Sequence, residues 1–118
     1  MIGQLHPVVI DAPEPHTLAT FYADLLGMEV NGSPGDAWIT TTGAGYRIAF
    51  QQAPDLRPPD WPGPDRPQQF QLDIRVAGVD EAEPEVRGLG ARRLPGGGGD
   101  FRVDADPIGH PFCLVRDA

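Results

Sequence analysis

Asp104-Ala105-Asp106-Pro107-Ile108-Gly109-His110-Pro111-Phe112-Cys113-Leu114-Val115 is a tight turn that delivers a short apolar strand. Asp106-Pro107-Ile108-Gly109 fits a type I turn, with proline at the second position and glycine at the fourth. The Asp106 carboxylate is suited to accept backbone N–H groups ahead of that turn. Phe112-Cys113-Leu114-Val115 reads as a buried strand, an apolar run bounded by turn signals. The stretch decides the fold because a matching strand, Ile48-Ala49-Phe50, stands 64 residues before Phe112-Cys113-Leu114.

The Gly96–Gly99 run reads as a turn between two strands. It lacks the strand–loop–helix setting of a phosphate loop. Val79–Leu89 reads as a helix with Val79, Ala82, Val86 and Leu89 as its buried stripe. Pro84 is placed within the first turn, where proline is tolerated, and Gly90 ends the helix. Phe70–Val76 reads as a strand with Leu72, Ile74 and Val76 on one face and Gln71, Asp73 and Arg75 on the other.

The first half has the same order. Val8-Val9-Ile10 is a β-branched strand, expected to break between Asp11 and Pro15. Glu14 and Pro15 suit a helix start. Leu18, Phe21, Tyr22, Leu25 and Leu26 then recur at helical spacing, and Gly27 is the C′ residue. Strands follow at Met28–Val30, Asp36–Thr42 and Tyr46–Gln51, the last with Ile48 and Phe50 facing one way and Arg47, Ala49 and Gln51 the other. Leu26-Gly27 and Leu89-Gly90 are 63 residues apart. The expectation is an α+β chain of two βαβββ units, residues 5–53 and 69–117. Residues 54–68 form a proline-rich connector, since Ala53–Pro67 holds six of the fourteen prolines and cannot join a central strand. Trp61 within it reads as an aromatic pinning the loop to the surface; a lid or a dimer contact is the alternative.

The net charge of −8 argues against a nucleic-acid partner, which needs a basic face. No apolar run approaches the ~20 residues of a membrane span, and no secretory signal is visible. The lone Cys113 leaves no internal disulfide and suits a reducing cytoplasm. All nine basic residues are arginine; with abundant Gly, Pro and Ala this points to a GC-rich bacterial genome.

The two βαβββ units, the Leu-Gly ending each helix, the Phe21-Tyr22 pair and the Asp106–Val115 stretch resemble the vicinal oxygen chelate superfamily. Within it the chain is similar to the small glyoxalase-like domain proteins, the glyoxalase/bleomycin resistance protein/dioxygenase type. The resemblance covers nearly the whole chain. It implies strands curled into half-barrels around a concave face, with helices outside, and homodimerisation. Family enzymes hold a divalent metal on that face with His, Gln or Glu from the first and last strands of each unit. Carried over by position, those places fall on Pro7, Ala49, Gln71 and Cys113. One amide and one thiol make a mismatched set for a hard cation. A displaced set of His6, Gln51, Gln71 and Cys113 would require strand shifts of one residue, which turn side chains to the opposite face. No metal site and no cofactor are therefore expected.

Alternation and the resemblance together send Asp11, Arg47, Gln51, Gln71, Asp73 and Arg75 to the concave face, as ligand contacts or as a paired polar lining. Trp38 is its aromatic wall or a core residue, and Phe101 and Val103 are the equivalent choice in the second unit. Cys113 reads as a core cysteine lining the site rather than a nucleophile. His110 at the turn is an acid–base group or a residue capping backbone; His16 faces solvent. The implied ligand-binding set is Trp38, Arg47, Gln51, Gln71, Asp73, Arg75 and Cys113, taking a small molecule for sequestration or resistance. The rival is a metal-dependent lyase, isomerase or dioxygenase.

Overall fold

The structure is a computed structural model that describes residues 2–116. The chain divides into two units, Met1–Leu56 and Arg57–Ala118. In the first, β1 (Val8–Ala12) runs through the expected break at Asp11. The reason is its partner: β1 lies parallel to β4 (Tyr46–Gln52), and Asp11 and Ala12 register with Gln51 and Gln52. Between them come α1 (Pro15–Leu26), β2 (Glu29–Asn31) and β3 (Trp38–Gly43), in a sheet of order β1-β4-β3-β2. Leu18, Phe21 and Tyr22 of α1 are buried as their spacing requires. Tyr22 stacks on Phe50 of β4, with ring centroids 5.9 Å apart. Gly27 caps α1 at φ 68°, a left-handed conformation that glycine adopts without a Cβ penalty. Ile39, Thr41, Ile48 and Phe50 share the helix-covered face by register. Arg47, Ala49 and Gln51 fall on the other.

The second unit repeats the order: β5 (Asp73–Val76), α2 (Val79–Gly88), β6 (Arg92–Gly97), β7 (Phe101–Ala105) and β8 (Pro111–Arg116), in a sheet β5-β8-β7-β6. Here β5 pairs parallel to β8. The expected strand from Phe70 starts three residues later, at Asp73. Ahead of it Phe70 is exposed, and the Leu72 carbonyl accepts the Cys113 N–H at 3.0 Å. Pro84 sits at the sixth position of α2, past the first turn, so the Asp80 carbonyl receives no N–H from it. The buried stripe of α2 also differs from the expected one. Val79, Glu83 and Val86 are buried, whereas Leu89 is exposed.

The Asp106 turn forms as read. Gly109 N–H donates to the Asp106 carbonyl at 2.9 Å. The buried Asp106 carboxylate accepts the N–H groups of Ile108, Gly109 and His110 through one oxygen, Oδ1, at 3.1, 3.0 and 3.0 Å. Residues 53–72 carry neither helix nor strand. Within them a loop is tied by Asp60 N–H to the Arg66 carbonyl (2.7 Å) and by the Arg66 guanidinium to Pro58 O and the Asp60 carboxylate, both at 3.1 Å. Pro58 lies so close to Gly109, at φ 103°, that a Cβ there would come within 2.6 Å of it. No helix among the described residues is long and apolar enough to cross a membrane.

Candidate functional site

The two faces of the second sheet have opposite characters, and the turn at Asp106 sets which residue faces which way. The turn pairs Ala105 with Pro111, Asp104 with Phe112, Val103 with Cys113 and Arg102 with Leu114. Directly opposed residues share a face. Arg102, Asp104, Phe112 and Leu114 therefore face α2, which packs on β7 and β8. Phe101, Val103, Cys113 and Val115 point the other way, joined by Asp73, the register partner of Cys113.

On this helix-free face lies a cavity of about 590 Å³. Gln71, Asp73 and Cys113 line it together with Phe101, Val115 and the Asp100 and Arg116 side chains, which approach to 3.6 Å. Gln71 organises the polar part. Its amide nitrogen donates to Asp73 Oδ1 at 2.8 Å and to Cys113 Sγ at 3.4 Å, and its oxygen accepts from the Gln68 amide at 2.9 Å. Burial pushes the Cys113 thiol up, and the Asp73 carboxylate adds to the shift. The thiol is protonated near neutrality and is no nucleophile there. Arg75 continues the same face of β5 opposite Val115 but is not among the residues lining the cavity.

Beside the cavity the same face is apolar. Leu94, Val103, Ala105 and Cys113 form a buried cluster, and the Trp61 indole packs against it with Val115. Trp61 Nε1 donates to the Pro95 carbonyl at 2.7 Å. Trp61 is thus half-buried on the face expected to receive ligand.

In the first unit the corresponding face carries the remaining candidates. Gln51 donates to Asp11 Oδ1 at 2.8 Å, and exposed Trp38 is the register partner of Gln51 on β3. Arg47 lies 3.1 Å from His6 Nε2. His110 takes part through its backbone, both its N–H and its carbonyl joining the Asp106 turn.

The metal positions can be tested on chemistry. Pro7 and the fully buried Ala49 have no donor atom. The Gln71 oxygen already accepts a hydrogen bond, and the Cys113 thiol keeps its proton. Among the described residues no group of three or more His, Cys, Asp or Glu is placed to hold a metal ion. The donor set does not fit the family's divalent cation.

The sequence reading missed an ionic cluster on the α2 side. Glu83 and Asp104 are both buried, at 4% and 0% exposure. Arg87, Arg93 and Arg102 approach Glu83 Oε1 at 3.7, 3.5 and 3.9 Å. Neither Asp104 oxygen accepts an N–H among the described residues. Burial raises the Asp104 carboxyl to about 6, and the Glu83 charge and a hydrogen bond with Glu83 add to this against Arg87 and Arg93. Below about pH 6 Asp104 holds a proton beside Glu83. The signal was present in the phase of Arg102 and Asp104 with Leu114 and Phe112, once the hairpin is registered around Asp106.

Solved structures share this fold. A glyoxalase/bleomycin resistance protein/dioxygenase family enzyme from Burkholderia phytofirmans is 17% identical, with TM-score 0.72 over 97% of this chain and 98% of that one. A fosfomycin resistance protein, FosX, from Listeria monocytogenes is 17% identical, with TM-score 0.72 over 100% of this chain and 94% of that one. The oxidase ChaP-H2 is 19% identical, with TM-score 0.65 over 100% and 96%. At these identities the likeness is one of fold. No curated protein matches the chain in sequence. The sequence profile of the glyoxalase-like domain matches residues 7–115, nearly the full length, and with the paired βαβββ units it establishes that the chain belongs to the glyoxalase-like domain family of the vicinal oxygen chelate superfamily.

Proposed function

We propose that this protein is a cytoplasmic, metal-independent binder of a small organic molecule, of the sequestration or resistance type, using the helix-free face of its second unit. The observation that supports this reading is the Gln71–Asp73–Cys113 constellation in a cavity of about 590 Å³. It combines a few oriented polar groups with the apolar surface of Phe101 and Val115, the usual composition of a ligand site. Of the four family metal positions, Pro7 and Ala49 have no donor atom, and Gln71 and Cys113 are engaged with one another. In the first unit Trp38, Arg47 and Gln51 are the polar and aromatic groups on the equivalent face, and Arg75 extends that of the second.

The metal-dependent reading has one point in its favour. A FosX structure, 18% identical to this chain, is a complex with Mn(II). Metal analysis of the protein after dialysis separates the two, together with tryptophan fluorescence titrations over a small-molecule panel. The expected result is no stoichiometric zinc, nickel, iron or manganese, and a ligand whose affinity falls about tenfold or more in Asp73→Ala, the ~1–3 kcal/mol of a lost polar contact. A retained metal bound through Gln71 and Cys113 would establish the enzyme reading instead.

We further propose a homodimer. Trp38, Tyr46, Phe70 and Phe101 are exposed apolar side chains, and a second copy is the commonest cover for such surface. Light scattering at micromolar concentration should give twice the 12.7 kDa chain mass. A single chain mass would refute it.

A further inference from the structure

The site of the second unit is in two parts. One is open and polar, the cavity of Gln71, Asp73 and Cys113. The other is apolar, formed by Leu94, Val103, Ala105 and Cys113, and it is covered by the chain's own Trp61. Cys113 belongs to both, so the two parts are continuous. Trp61 contacts this surface as a ligand would. A flat bicyclic ring lies on small apolar side chains, and its one N–H is spent on a backbone carbonyl, Pro95 O, at 2.7 Å. The segment bearing it is not a strand or helix of the fold, and its ties are the Asp60–Arg66 and Pro58–Gly109 contacts of a surface loop.

We propose that Trp61 is a built-in, displaceable occupant of a binding subsite, and that the ligand of this face is a planar aromatic amine of indole-like size. Its ring N–H replaces the Trp61 indole on Pro95 O while its cationic arm lies in the open part. This deepens the function proposed above and rests on that reading. Charge selects the arm. Asp73 and Asp100 contribute two carboxylates to the cavity lining against the single guanidinium of Arg116, and the chain as a whole carries −8. Asp73 and Asp100 are both exposed, so their attraction for a cation is that of surface charges and weakens as salt is raised. A ligand that must first displace Trp61 binds with its affinity reduced by the fraction of molecules in which the subsite is free.

Tryptamine is the probe. Two analogues accompany it: 1-methyltryptamine, which lacks the ring N–H, and indole-3-propionate, which carries an anionic arm. Calorimetry gives affinities for the wild type, Trp61→Ala and Trp61→Phe. Alkylation of the single cysteine by iodoacetamide, read by mass spectrometry, reports on Cys113, which is 6% exposed and belongs to the cluster on which the indole packs. Trp61→Phe keeps an aromatic ring on the cluster but loses the N–H, so the test stands if Trp61→Ala does not fold. The expected results are measurable tryptamine binding to the wild type, about tenfold or more tighter binding to either variant, and about tenfold weaker binding of each analogue, the ~1.4 kcal/mol of one lost polar contact. Cys113 should alkylate faster in the variants, and tryptamine should slow it. Equal tryptamine affinity in wild type and variants, with Cys113 still protected, would leave the cavity reading standing and refute displacement of Trp61. Binding to the folded variants but none to the wild type would make Trp61 a fixed plug and also refute it. Absence of tryptamine binding throughout would reject the aromatic-amine class, while the wider panel titration decides the binding function separately.

Discussion

Replacing Asp106 by alanine is expected to destabilise the second unit by about 4 kcal/mol, several times the loss in Asp106→Asn. The carboxylate is 1% exposed and its Oδ1 accepts three backbone N–H groups. Truncation leaves those donors without their acceptor, at ~1–3 kcal/mol for each that water cannot reach. Asparagine keeps an oxygen in the same place and gives up only the charge, a difference of about 1 kcal/mol. Urea unfolding of the three proteins reads both numbers. Equal losses for alanine and asparagine would show that the negative charge, rather than the acceptor, holds the turn. The effect reaches beyond the turn, since this bend pairs Val103 with Cys113 and so sets which side chains reach the cavity.

Asp104→Asn is expected to do the reverse and stabilise the protein, in a pH-dependent way. The charges acting on Asp104 are Glu83 and Arg87 from α2 and Arg93, its register partner on β6. An acid whose folded pKa is raised holds its proton longer in the native state than in the unfolded one. Between the ordinary value of 3.8 and about 6 the native state binds more protons, so stability falls as pH rises through that window. Below it the group costs nothing, and above it the cost is complete. The rise amounts to about 3 kcal/mol as an upper bound. Asparagine has no proton to lose and can donate its amide hydrogen to Glu83 at any pH. The variant should match the wild type near pH 4 and exceed it by up to about 3 kcal/mol at pH 8, as measured by urea midpoints across that range. A constant difference at all pH values would show that no proton is shared between Glu83 and Asp104.

The architecture was legible because two local signals agreed twice. Leu-Gly helix ends and apolar closing strands recurred at nearly one spacing, and the alternation of Arg47, Ala49 and Gln51 against Ile48 and Phe50 held in the structure. Where partners outweigh local propensity, the reading fell short. Asp11 and Ala12 lie in β1 because β4 offers them a parallel ladder, and Phe70 lies outside β5, whose ladder with β8 begins at Asp73. Glu83 was unreadable as a buried residue because its burial depends on three arginines, two of them from distant strands. Gln71 and Asp73 were named from alternation and Cys113 from the family resemblance, and the three converge as a hydrogen-bonded group. Trp61 was read as a pin on the surface; the surface it pins is the sheet face that carries the cavity, a relation set by the β7–β8 register rather than by any local signal.

The placing of β8 bears on how the chain reaches its folded state. β8 is the last strand in sequence yet lies inside its sheet, between β5 and β7. The first sheet has all four strands once residue 52 has been synthesised, whereas the second cannot close until residue 116 emerges. Until then β5 and β7 each show an edge that β8 will later fill, a temptation to wrong pairing. The β5–β8 contact joins Asp73 to Cys113, a long loop to close, and parallel pairing of this range is slow. Nascent chains of this protein therefore spend their vulnerable interval in the second unit, and it ends with the strand that also completes the face on which the cavity lies.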